Sequence, residues 1–192
     1  MPTIAAPQLS AMAQLRAATR AQHESLDHDC RLAKKLQSIE GLTWLLRRWY
    51  GFYLPYESQL EQSTLRWRGL AQERRKSHLL LADLRNLGVT AGSIAVCKNI
   101  PVLLDDNEVL GSMYVTEGAT LGGCFIARQL ERQLRLSQGR GYSFFNGYGE
   151  QTGQMWREFA AIVNENCLAN PEPVITAARK TFQCIHEWLT SE

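Results

Sequence analysis

A histidine interrupts an otherwise apolar helical stripe near the start of this 192-residue sequence. Met12, Leu15, Thr19, His23 and Leu26 recur at steps of three and four, the spacing that places residues on one helix face. Arg16 lies seven residues before His23 and Asp27 four after it, so both share that face. The group supplies an imidazole, a carboxylate able to accept from its second nitrogen, and a cation two turns away. A ligating histidine commonly has its other N–H fixed in this way by a carboxylate or a backbone carbonyl. The same residues also describe a core-edge histidine bonded to Asp27, the commoner use of a lone histidine on an amphipathic face.

Other metal chemistries fail on spacing. The residues three before His23, His28, His78 and His186 are Arg20, Ser25, Arg75 and Gln183, so the Glu-x-x-His pairs of a di-iron bundle are absent. "HESLD" ends in Asp27, not in the second histidine of the H-E-x-x-H zinc motif. No phosphate loop and no G-x-S-x-G nucleophile elbow occurs. A single histidine on a long helix is how many proteins hold haem iron.

The second unusual stretch is "EGATLGGCF", Glu117–Phe125. Gly118, Gly122 and Gly123 fall in what otherwise reads as a long helix, at about 1 kcal/mol each relative to alanine. Gly118 and Gly122 share a face, with Gly123 beside them. A face without Cβ atoms admits another helix or a flat ligand against the backbone.

The elements that must position these residues are helical throughout. Ser10 caps a helix to about Cys30, after a loose tail over residues 1–9. A second helix covers Leu32–Ser38, and a third starts near Thr43 and is kinked at Pro55. "KSHLLLADLRNLG" reads as a helix that Gly88 stops. Val89–Asp105 holds a short helix or turn. Asp106 or Asn107 caps the glycine-bearing helix, which runs to about Leu134. A glycine- and aromatic-rich loop follows, then helices over about Glu150–Cys167 and Glu172–Thr190. The expected fold is an all-α single domain, residues 10–192, of six to eight helices.

The net charge of +2 excludes the strong basic bias of a nucleic-acid binder. No run of 18 apolar residues predicts a membrane span, and the N-terminus lacks the pattern of a secretory signal. Five scattered cysteines without a C-x-x-C pair point to reduced thiols in the cytoplasm.

"LRAATRAQHESLD", "YVTEGATLGG", "SFFNGYGEQTGQMWREF" and "ARKTFQCIHEWL", in this order and spacing, resemble the bacterial biliverdin-producing haem oxygenases over about Leu15–Leu189. The resemblance implies haem between a proximal and a distal helix of an all-α fold. His23 matches the proximal iron ligand and Asp27 an acidic position one turn later. Gly118 and Gly122 match the distal glycines, with Gly123 adjoining, and Tyr114 an aromatic wall. Arg16 matches a basic position near the haem edge. Arg128 and either Arg179 or Lys180 are further propionate candidates. Ala119 stands where mammalian-type members carry Asp, which leaves Thr120 or exposed backbone carbonyls to hold distal water.

The activity so implied is oxidative cleavage of haem to biliverdin, ferrous iron and CO, with haem as both substrate and cofactor. It requires O2 and an external electron donor, a reductase or ferredoxin-type protein, since no flavin or nicotinamide motif is visible. The product either serves iron acquisition or supplies a bilin-using photoreceptor. The alternative is a non-catalytic haem-binding or haem-delivery protein of the same fold.

Overall fold

The computed structural model describes residues 9–191, apart from 64, 91, 93 and 137–140. The expected tail, Leu9 aside, lies outside the described residues. Among the described residues nine α-helices follow one another: α1 (Ala11–Asp29), α2 (Leu32–Lys35), α3 (Ile39–Gln62), α4 (Arg68–Glu73), α5 (Ser77–Asn86), α6 (Asp106–Leu134), α7 (Ser143–Asn146), α8 (Thr152–Cys167) and α9 (Glu172–Thr190). Two of them, α2 and α7, are single turns of four residues, and no strand occurs among the described residues.

Local chemistry explains most boundaries. Ser10 accepts from the Ala13 N–H at the start of α1, as its residue type suggests. Helix α3 begins four residues earlier than periodicity indicates, because Ser38 caps it by accepting from Gly41. Asp105, rather than Asp106 or Asn107, caps α6, and Glu108 reaches back to the Leu104 N–H. Between α5 and α6 no α-helix forms among the described residues.

Pro55 leaves α3 continuous from Ile39 to Gln62. Proline lacks the N–H that would bond the carbonyl four residues back, which frees Gly51 O. The Cys97 N–H donates to that carbonyl at 2.9 Å. Gly51 permits the approach: a Cβ there would lie 2.3 Å from Ala95 O. The cost of an interior proline is thus offset in part by an N–H from the connection between α5 and α6.

The core is built around α3, α6 and α9. Trp49, Phe52, Tyr53 and Tyr56 of α3 form a ring ladder that continues into Phe144 of α7. Helices α6 and α9 cross closely because Gly111 has no Cβ; one would lie 2.5 Å from Val174 O and 2.6 Å from Ala177 Cβ. Helix α9 packs on both α1 and α6, and α8 does the same, whereas α1 and α6 make at most marginal contact.

The C-terminal end of α1 is tied to α9 by Asp29. His28 Nδ1 and His186 Nε2 lie 2.9 and 2.8 Å from its carboxylate, and Ser25 donates at 2.9 Å. These partners, His28 first, hold the Asp29 carboxyl well below the usual range. The five cysteines are free. Burial pushes the Cys30 thiol up to about 11, so it is a packing residue rather than a nucleophile.

Candidate functional site

The stripe on α1 leaves the core halfway along the helix. Leu15 and Thr19 are buried, but His23 and Asp27 are exposed, with 60% and 55% of their side chains accessible. His23 therefore flanks the core instead of facing it. Its Nδ1 lies 3.3 Å from Asp27 Oδ2, which leaves Nε2 directed elsewhere. The ring meets the edge of Phe182 on α9 at 6.1 Å between centroids. Arg16 is exposed two turns earlier and pairs with no carboxylate among the described residues.

The three glycines of α6 do different work. Gly122 is exposed, and an added Cβ would meet nothing within 4 Å. At Gly118 it would meet only Trp156 Cη2, at 4.0 Å. Gly123 is buried, and its Cβ would lie 2.6 Å from Phe145 O. Gly123 is therefore the close contact between α6 and α7. Gly122→Ala is expected to leave melting unchanged or raise stability by up to about 1 kcal/mol through helix propensity. Gly123→Ala should lose about 1–3 kcal/mol to overpacking. Thermal melts of the two variants check the contrast.

Thr120 lies on another side of α6. It is buried, its hydroxyl donates to Thr116 O at 2.9 Å, and its methyl lies beneath Gly147. At 100° per residue it points about 200° away from Gly118, so it does not reach the glycine face. Tyr114 does share that face and packs on Trp156, with 6.0 Å between ring centroids. Arg128 is exposed, at roughly 80° from the Gly118 direction.

Arg179 and Lys180 lie on α9. Arg179 Nε donates to Ala18 O at 3.2 Å, and its Nη1 lies 3.9 Å from Glu172. Both residues line a surface cavity of about 590 Å³ between α1 and α9. Lys180 also borders one of about 460 Å³ at the start of α6. Neither cavity includes His23, Gly118 or Gly122. On α1 the first is lined by Ala21, Gln22 and Ser25, which helical phase turns away from His23. Phe182, which meets His23, lines this cavity too.

Three aromatic residues were missed. Phe125, 73% exposed, lies seven residues after Gly118 and so continues the glycine face; that spacing was a usable signal. Trp156 and Phe182 come to the site from α8 and α9, and nothing local in the sequence marks them. Together the residues fit a flat, largely apolar ligand. One helix face offers an imidazole steadied by a carboxylate. The other offers bare backbone edged by Tyr114, Trp156 and Phe125. The two helices carrying these faces are bridged by α8 and α9 instead of packing on each other.

The sequence matches the family model described as Heme oxygenase over residues 9–191. No curated protein matches. The fold is similar to the NO- and CO-bound haem oxygenase of Neisseria meningitidis, with a TM-score of 0.72 at 20% identity over 94% of this chain and 90% of that one. It is similar also to the haem oxygenase of Leptospira interrogans, with a TM-score of 0.75 at 15% identity over 95% and 99%.

Proposed function

The chain belongs to the haem oxygenase family, and on that premise we propose that it takes haem between the α1 face carrying His23 and the α6 face carrying Gly118 and Gly122. Members of the family degrade haem to biliverdin, ferrous iron and CO. The substrate itself supplies the redox-active iron and the carbon that is cleaved.

The observation that carries the placement is the empty Cβ position at Gly122, where no described atom would lie within 4 Å of an added Cβ. His23 presents Nε2 to the iron, while the Asp27 carboxylate, 3.3 Å from Nδ1, is placed to steady the ring and favour the Nδ1–H tautomer. Phe182 limits the swing of the imidazole from the α9 side. Arg16 pairs with a propionate, and Arg128 is the second candidate. Tyr114, Trp156 and Phe125 exclude water from the ring edge, and the glycines keep side chains off its distal face. With Ala119 and Thr120 contributing no polar group there, backbone carbonyls of α6 are the acceptors left to order distal water.

Dioxygen and an external reductase or ferredoxin-type donor complete the proposed reaction. The free thiols fit a reducing cytoplasm. Among the described residues no helix is long and apolar enough to cross a membrane.

The test is to add hemin to the purified protein, supply a reductant in air and record spectra. Decay of the Soret band into a bilin band is expected. A Soret band that forms and persists through reduction would overturn catalysis and leave a haem-binding protein.

A further inference from the structure

The α6 residue immediately before Gly118 is a buried carboxylate. Glu117 is 3% exposed. Its Oε1 accepts from Lys76 Nζ at 2.7 Å and from Tyr148 Oη at 2.8 Å, and its Oε2 lies 3.4 Å from Arg74 Nε. Lys76, 1% exposed, directs its other two donors to Arg74 O at 3.0 Å and Tyr148 Oη at 2.8 Å. Arg74 Nη2 donates to Met155 O at 3.1 Å. Met155 is next in the chain to Trp156, whose Cη2 would lie 4.0 Å from a Cβ at Gly118. One carboxylate thus joins α6, the α4–α5 connection and the turn before α8, and through Arg74 reaches α8 itself.

Such a cluster is weak evidence for stability, since apolar side chains of similar volume often serve as well. Its distinctive property is direction. Packed side chains fix the rotation of a helix about its own axis, and the Gly118–Gly122 face has none to interlock. Hydrogen bonds of set geometry at the adjacent residue supply that constraint. Glu57 accepts from the Lys76 and Ser77 N–H groups at 2.6 and 3.0 Å, so the anchor is itself held by α3. Burial pushes the Lys76 ammonium down, opposed by Glu117, and pushes the Tyr148 phenol up.

We propose that Glu117 is a positioning residue of the reaction: its contacts with Lys76, Arg74 and Tyr148 set the rotation of α6 at Gly118 and the seat of Trp156, and thereby which edge of the substrate lies under the glycine face. This rests on the haem oxygenase reading.

The test uses Glu117→Gln, Lys76→Met and Lys76→Arg beside the wild type. Amide hydrogen exchange is followed in the substrate-free proteins, and the biliverdin isomers and ferric spectrum in the hemin-loaded ones. In Lys76→Met, amides 118–123 should exchange about tenfold faster, while those of Val109–Met113, held by α9, stay unchanged. The isomer mixture should broaden and the ferric spin-state balance shift. Glu117→Gln should move the same observables, and Lys76→Arg should restore them. Unchanged local exchange in Lys76→Met overturns the inference whatever the wild type does. Faster exchange with an unaltered isomer mixture and spectrum also overturns it, leaving the cluster purely structural. If Glu117→Gln does not fold, Lys76→Met decides alone, because Arg74 still balances Glu117 there. Absence of bilin from the wild type overturns instead the reading on which the inference rests.

Discussion

His23→Ala is expected to lose the histidine-ligated ferric spectrum and more than about 100-fold of turnover, while the melting temperature of the substrate-free protein stays close to wild type. Removal of an outer partner of a metal ligand already costs about 10–100-fold, and loss of the ligand itself should exceed that. The fold should tolerate the change because the side chain is 60% accessible and touches little besides Asp27 and Phe182. Asp27→Asn should keep haem binding but weaken the iron–imidazole vibration. Added imidazole should recover part of the ligated spectrum in His23→Ala and none of it in variants elsewhere. Undiminished turnover in His23→Ala, or a collapse of the apo fold, would remove His23 from the site.

Glu117→Leu should be the most destabilising single change among the residues discussed. It strands two buried cations, Arg74 and Lys76, whose side chains are 3% and 1% exposed. Breaking a buried pair from one side costs about 3–5 kcal/mol, a large share of the roughly 5–15 kcal/mol that holds a domain together. At about 2–4 °C per kcal/mol for a chain of this size, the melting temperature should fall by roughly 6–20 °C. Lys76→Met should cost less, because Arg74 and Glu117 remain opposite in charge at 3.4 Å. Calorimetry of both variants gives the order. Equal losses would show that the two cations do not share one carboxylate.

The residues that read correctly from sequence are those whose partners are local. Ser10 capping α1, Gly88 ending α5 with φ +80, and the shared face of Tyr114, Gly118 and Gly122 follow from spacing alone. Gly122 and Gly123 are neighbours in the chain, yet one faces open space and the other the backbone of Phe145. That difference is set by where α7 folds back, which no α6 residue encodes. The carbonyl that Pro55 leaves free in α3 finds its donor 42 residues on, at the Cys97 N–H. Lys76 and Glu117 are 41 residues apart, and each alone reads as a surface charge. Residue type marks Arg179 and Lys180 as cations on the last helix, whereas the rotation of α9 decides what they face.

The scant packing between α1 and α6 gives the proposed substrate site a structural consequence. A ligand that bridged them would bind only the folded chain and stabilise it, by about 2.7 kcal/mol at a hundredfold excess over its Kd. In the site proposed above, a bond to α1 and a contact with α6 would act as mortar between two courses of masonry. Opening the ring would dissolve that joint from within at each turnover. The protein would then be stiffest just before catalysis and loosest just after it, and product departure would become a relaxation of the scaffold itself.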